Sequence, residues 1–198
     1  DYQVQLPDAT SGTNIISNAD VISQGFETDL TFRATRKLTL SGTLAYIDAF
    51  YDKYPVAACN FDQIAAVSSQ DLGFLLPCSQ DLTDKNLNLN SLWNANANLL
   101  FEGGQIKLSE TFEANWFVFF EAVYRDDFNG DPTNNPATQT SDYAFYNAKL
   151  GLQNNNWEAE LWVQNITDAE YFTGLEEASF SDGIAGIQGP RRSLGARV

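Results

Sequence analysis

Glu158 and Glu160 stand two residues apart, a spacing that puts both carboxylates on one face of an extended strand. Paired carboxylates are the usual equipment of general acid–base chemistry, and in a chain without histidine that work would fall to them. Two acids lining a wet strand face have the same spacing, and that plainer reading is preferred. Asp127, Asn129, Gly130 and Asp131 resemble the opening of a calcium loop, but Thr138 stands where the bidentate glutamate belongs, so no metal site is assigned. Cys59 and Cys78 are the only cysteines. They have a single possible connectivity, and an oxidising compartment favours a disulfide closing a loop of about 20 residues; two reduced thiols are the alternative. With no histidine and no further cysteine, no zinc set can be assembled. Nucleophile elbow, phosphate loop and dinucleotide fingerprint are all missing, so no enzymatic activity and no cofactor are expected.

The elements that carry these residues alternate. From Glu113 to Asp127, Trp116, Val118, Phe120, Ala122 and Tyr124 point one way, and Glu113, Asn115, Glu121 and Arg125 point the other. The same two-faced pattern recurs at Phe26–Arg33, Leu38–Tyr46, Trp93–Glu102, Ala144–Gln153, Trp157–Gln164 and Arg191–Val198, with a partial strand at Tyr2–Leu6. About eight strands result, and no helical period of comparable length appears. The longest apolar run, Trp116 to Phe120, is far short of the roughly 20 residues a membrane helix needs. Barrel strands average out on hydropathy scales, so the low mean hydropathy of -0.28 leaves them open.

Connections alternate as well. Short turns are expected at Thr35–Lys37, near Glu102–Gln105 and at Asn154–Asn156. Long loops are expected at Pro7–Asn18, Tyr51–Asn90, Asp126–Asp142 and Thr167–Gly189. Short turns at one end and long loops at the other are the pattern of an outer-membrane barrel, with the long loops outside the cell. Recurrent Trp and Tyr near strand ends fit interfacial girdles. The competing reading is a soluble antiparallel sandwich, whose strands would be shorter, nearer five or six residues.

The formal net charge of -15 argues against nucleic acid, whose phosphates need a basic surface. Much of the acidity falls in the long loops and forms a solvated rim suited to a cationic or metal-chelate ligand. The chain opens Asp1-Tyr2-Gln3-Val4 with neither a methionine nor a signal peptide, the expectation for a mature or incomplete chain.

Asn165-Ile166-Thr167-Asp168-Ala169-Glu170-Tyr171 follows a Trp-bearing strand, and Gly189-Pro190-Arg191-Arg192-Ser193-Leu194-Gly195 opens the last one. Upstream stand Asn18-Ala19-Asp20, Gly25-Phe26-Glu27 and Ala45-Tyr46-Ile47-Asp48-Ala49. In order and spacing these segments resemble the barrel of a TonB-dependent outer-membrane receptor over nearly the whole chain. The resemblance implies an all-β, antiparallel transmembrane β-barrel, with residues 1–198 forming about eight C-terminal strands of a barrel of about 22. It implies location in the bacterial outer membrane, lipid around the wall, a plug domain and remaining strands as partners, and coupling to TonB. The function implied is active uptake of a scarce nutrient: a siderophore–iron chelate, cobalamin or an oligosaccharide. Ligand capture is expected from aromatic residues on the long loops, Tyr51, Tyr54, Phe61, Phe74, Phe128 and Phe180. Tyr171 is expected at headgroup level, and Arg191 and Arg197 opposite Glu158 and Glu160. Asn165-Ile166-Thr167, formally a glycosylation sequon, is read as coincidence. The alternative function is a small free-standing eight-stranded barrel with an anchoring or adhesive role. A soluble β-sandwich binding module is a third reading.

Overall fold

The computed structural model describes residues 2–7, 14–68, 78–109, 112–178 and 183–198. Its strands in chain order are β1 (Tyr2–Pro7), β2 (Asn14–Arg33), β3 (Leu38–Lys53), β4 (Ala57–Ala58), β5 (Ser79–Gln80), β6 (Trp93–Ser109), β7 (Phe112–Arg125), β8 (Tyr143–Gln153), β9 (Glu158–Gln164), β10 (Phe172–Glu177), β11 (Ile184–Gln188) and β12 (Ser193–Arg197). Eight of them form one antiparallel sheet in the order β1-β2-β3-β6-β7-β8-β9-β12. Two small hairpins, β4–β5 and β10–β11, belong to the long loops. Among the described residues one α-helix, α1 (Phe61–Ser68), lies between β4 and β5, and a 3-10 turn stands at Pro136–Thr138.

Cross-strand register carries the alternation across the sheet. On the outward face Leu40 opposes Leu99, Leu99 opposes Phe120, Phe120 opposes Ala148, Ala148 opposes Val163, and Val163 opposes Leu194. The inward row beside it runs from Ser41 through Asn98 and Glu121 to Asn147. Outward apolar side chains stay open: Leu30 is 65% exposed, Leu161 60% and Leu194 78%. A soluble sandwich would bury that face in its core. Left bare over seven strands, it is a surface made for lipid.

Aromatic rings edge the band. Phe26, Tyr46 and Trp93 cluster at its long-loop end, with centroids 4.8–6.0 Å apart, and Phe101 meets Trp116 at 5.4 Å at the short-turn end. Tyr124 and Trp116 are eight residues apart on β7, about 27 Å along a tilted strand at ~3.4 Å per residue. At a tilt of about 40° this rises roughly 21 Å, most of the apolar band of ~25 Å typical of such walls.

Three expectations about boundaries change. The turn placed near Glu102–Gln105 lies farther on, because β6 continues to Ser109 and β7 begins at Phe112. Gly103 and Gly104 instead sit at a register shift inside the ladder. A Cβ on Gly103 would lie 2.0 Å from the Trp116 indole, so bare backbone there makes room for the ring. The first long loop is shorter than expected, since β2 starts at Asn14. Tyr51 lies on β3, which continues past the aromatic girdle, and not on a loop.

Beyond that girdle the packing changes. Gln24 donates to Asp48 at 3.0 Å on the outward face, polar groups where the lipid band has ended. Val4, Ala19, Tyr51, Tyr54, Ala57 and Leu82 form a buried cluster there, with the Tyr51 and Tyr54 rings 5.1 Å apart. This loop layer, above the wall, holds the hydrophobic core.

Candidate functional site

A belt of amides and carboxylates crosses the inward face among the rings of Phe119 and Trp162, its members bonded to one another except Asn98 Oδ1, which is buried without a partner in the described residues. Glu121 accepts from Asn96 Nδ2 at 2.9 Å and from Asn147 Nδ2 at 2.6 Å, and Asn98 donates to Asn96 at 2.5 Å. Nearer the short turns, Arg197 lies 3.6 Å from Glu158 and 3.4 Å from Glu160, and Lys149 stands 3.8 Å from Glu160. Glu158 and Glu160 are thus held by cations on neighbouring strands. The expected pairing of Arg197 is observed. Arg191 pairs elsewhere, as described below.

Above this polar belt, at the long-loop end, a concave basin of about 410 Å³ is lined by Thr43, Asn94, Val123, Arg125, Tyr143, Phe145 and Tyr171. Arg125 is held rigidly. Its Nε donates to Ser91 Oγ at 2.8 Å, its Nη2 to the Leu89 carbonyl at 3.0 Å, and its guanidinium lies 4.1 Å over the Phe128 ring. No carboxylate pairs with it among the described residues. Tyr143 and Phe145 share the inward parity of β8. Tyr171, from the last long loop, stacks on both, at 4.3 Å and 5.4 Å, with planes within 23° of parallel. Tyr171 therefore folds over the inward face and is not part of the lipid-facing girdle.

The two terminal sequence segments aim that ring. Asn165 adopts φ 50° and is buried; its Oδ1 accepts from Ala169 N at 2.8 Å, and its Nδ2 donates to the Ala169 and Pro190 carbonyls. Both amide hydrogens are engaged, which fits reading the sequon as coincidence. Asp168 receives Arg191 through Nε at 3.1 Å and Nη2 at 2.8 Å, and accepts from Arg192 N at 2.9 Å. Arg191 also pairs with Glu170. Its place outside β12, beside the Asp168 turn, is why it does not reach Glu158. The Arg191 guanidinium, aided by the Arg192 amide, holds the Asp168 carboxyl down at about 2. Gly189 N donates to the Tyr171 carbonyl at 2.8 Å, closing the base of the β10–β11 hairpin.

The long loops lock together. Glu177 Oε1 accepts from Phe61 N, the first amide of α1, at 2.9 Å and from Asn135 Nδ2 at 2.5 Å. Its own amide donates to Asp131 Oδ2 at 3.0 Å. Gln80 donates to the Ala58 and Thr133 carbonyls at 2.6 and 2.7 Å. Asp131 and Asn129 are thereby committed to holding backbone, Asp131 through Thr133 and Glu177 and Asn129 through Asp131 N and the Thr138 hydroxyl. Cys59 and Cys78 form a disulfide, with Cα atoms 5.7 Å apart. Between the loops lies a second hollow of about 320 Å³, lined by Phe61, Asp62, Asn135, Glu177 and Ile184.

Of the aromatic residues expected to capture ligand, Phe61 lines this second hollow and is half-buried. Tyr51, Tyr54 and Phe128 are at most 2% exposed and pack into the loop layer. Burial also pushes the Tyr51 hydroxyl pKa up. Phe74 and Phe180 lie outside the described residues. Sequence reasoning missed Tyr143, Phe145 and Tyr171 as a group. The parity of β8 could have placed the first two inward, but nothing local links them to Tyr171.

By sequence, the chain matches no family model and no curated protein. By structure it is similar to the siderophore receptor PiuA from Acinetobacter baumannii, with a TM-score of 0.65 and 19% identity over 98% of this chain and 23% of that one. It is also similar to the ferric yersiniabactin uptake receptor FyuA from Yersinia pestis, with a TM-score of 0.64 and 13% identity over 92% of this chain and 24% of that one. The wall shares its fold with the matched part of both receptors. The chain spans about a quarter of the length of either receptor. Among the described residues the eight-stranded sheet is open at both ends of its strand order.

Proposed function

We propose that residues 1–198 are the C-terminal portion of the barrel of a TonB-dependent outer-membrane receptor that takes up a scarce nutrient. The observation that carries this reading is the opposition of faces. A bare apolar outer surface backs a polar inner one, and interlocked loops fold over its long-loop end. In this reading the inward belt around Glu121 faces a plug domain, the long loops lie outside the cell, and TonB drives release from within. The unpaired Arg125 and the stacked Tyr143, Phe145 and Tyr171 form a ligand-facing ledge below the loops. Phe61, Phe74 and Phe180 are proposed as outer contacts, whereas Tyr51, Tyr54 and Phe128 act by holding the loops in shape.

Iron–siderophore chelates are the first class to test, because both structural neighbours are described as receptors for them. Cobalamin and oligosaccharides are the competing arms. Uptake of each, compared between cells with and without the intact gene, decides among them. Loss of one uptake on deletion, restored by the parent gene and reduced about tenfold or more by Arg125→Gln or Tyr171→Ala, is the expected result. Unchanged uptake of all three classes would overturn the reading.

A free-standing eight-stranded barrel requires β12 to pair with β1 or β2. In the described residues β12 pairs with β9 alone, and β1 with β2 alone. Backbone groups left unpaired at such edges are costly in hydrocarbon, which favours the larger barrel over the free-standing one.

A further inference from the structure

The β2–β3 turn concentrates positive charge in a chain that carries 11 Lys and Arg against 26 Asp and Glu. Arg33, Arg36 and Lys37 fall within five residues, all exposed, and none is in an ion pair among the described residues. The turn is rigid. Thr35 Oγ1 accepts from Lys37 N at 3.1 Å and Leu38 N at 3.0 Å, Arg33 Nη2 donates to the Arg36 carbonyl at 3.3 Å, and Glu102 N donates to the Lys37 carbonyl at 2.7 Å. Cations of the neighbouring short-turn region behave differently: Lys107 is neutralised by Glu113 at 2.8 Å.

On the outward face next to that turn runs an apolar groove of about 420 Å³, walled by Thr28, Leu30, Phe32, Leu40 and Leu44 and floored by Gly42. A Cβ on Gly42 would lie 2.8 Å from the Asn96 carbonyl oxygen, so the floor has to be glycine and the groove cannot fill itself. Gly42 is five residues from Lys37, about 17 Å along the strand at ~3.4 Å per residue. On a strand tilted by about 40° that is a depth of roughly 13 Å, close to one leaflet of hydrocarbon at about 15 Å. An acyl-sized slot thus lies along the same two strands whose turn carries Arg36 and Lys37 at the depth of a lipid phosphate, and snorkelling of those long side chains can bring their charges to its mouth.

We propose that this groove and turn form a site for one anionic phospholipid of the inner leaflet, its acyl chain along Gly42 and its phosphate held by Arg36 and Lys37, with Arg33 bracing the turn. The site rests on the orientation given above, with the short turns facing the periplasm. The test uses the full-length receptor in nonionic detergent and native mass spectrometry, with phosphatidylglycerol and phosphatidylcholine of matched chains. Retention of phosphatidylglycerol at least tenfold above phosphatidylcholine is expected. The double variant Arg36→Gln, Lys37→Gln should lower phosphatidylglycerol retention about 25-fold, roughly fivefold per cation near an anionic surface, and leave phosphatidylcholine unchanged. Thr28→Phe, filling the groove without altering charge, should lower it too; Leu30→Phe replaces it if that variant fails to show the parent's heat-modifiable mobility. Equal retention of the two lipids would overturn the proposal. So would undiminished retention by either type of variant, the result expected if the cations serve an acidic protein segment instead. Thr35→Cys labelled in intact cells by a membrane-impermeant maleimide would overturn the orientation, and with it the proposed function, while leaving the lipid preference in detergent to be judged separately.

Discussion

The wall and the loop layer above it treat their apolar residues in opposite ways. In the wall Leu161 is 60% exposed and Leu194 78%; in the loop layer Tyr51 is 1% exposed and Phe128 2%. Both regions are rich in aromatic and branched residues, so composition alone does not separate them. The solvent does. The wall leaves its apolar groups to lipid and satisfies its backbone by strand pairing, whereas the loop layer faces water and must bury its rings, hold its turns by side-chain bonds and close a disulfide. One chain therefore carries a membrane protein's rule in its lower half and a soluble protein's rule in its upper half.

The comparison breaks most visibly at Tyr51. Tyr51→Ala should destabilise the loop layer by about 3–5 kcal/mol through the cavity it leaves, read as accelerated proteolysis of the loops while the heat-modifiable mobility of the barrel persists. Removing the disulfide with Cys59→Ala, Cys78→Ala should cost the same layer about 3 kcal/mol for a closed loop of about 20 residues, again without loss of the wall. The converse test is Phe120→Arg at the middle of the lipid band, expected to weaken the wall by about 2–4 kcal/mol in a urea unfolding series in lipid vesicles; an arginine at the inward Asn98 should cost far less. The smallest effect is at Asp168. Its carboxyl is held at about 2 by Arg191 and Arg192, below the ordinary carboxylate value of about 4. A depressed folded value means stability present above about pH 4 and lost as the pH falls through 2. Hydrogen exchange in 165–192 should rise over that window, and Asp168→Asn should remove the pH dependence.

All eight strands of the sheet and the parity of seven of them were legible in the sequence, because a period of two survives any choice of partner. What was not legible came from contacts distant in the chain. Gly103-Gly104 reads as a turn locally, and only the Trp116 ring opposite makes it an irregularity within a strand. Helix α1 is too short to show a period, yet Asn60 and Gln63 exchange bonds at 2.9 Å in both directions, a capping box visible at its spacing. The buried loop aromatics were found as residues but not as a core, since exposure is decided by how the loops meet. Tyr171 reaches Tyr143 across 28 positions, and no local pattern announces it.

Glu177 has a mechanical consequence. Because one side chain and its own amide hold the start of α1, Asn135 and Asp131 together, the three loops cannot bend one at a time. A push on any of them is passed to the other two through that carboxylate, so Glu177→Ala should free all three together, read as hydrogen exchange rising in each.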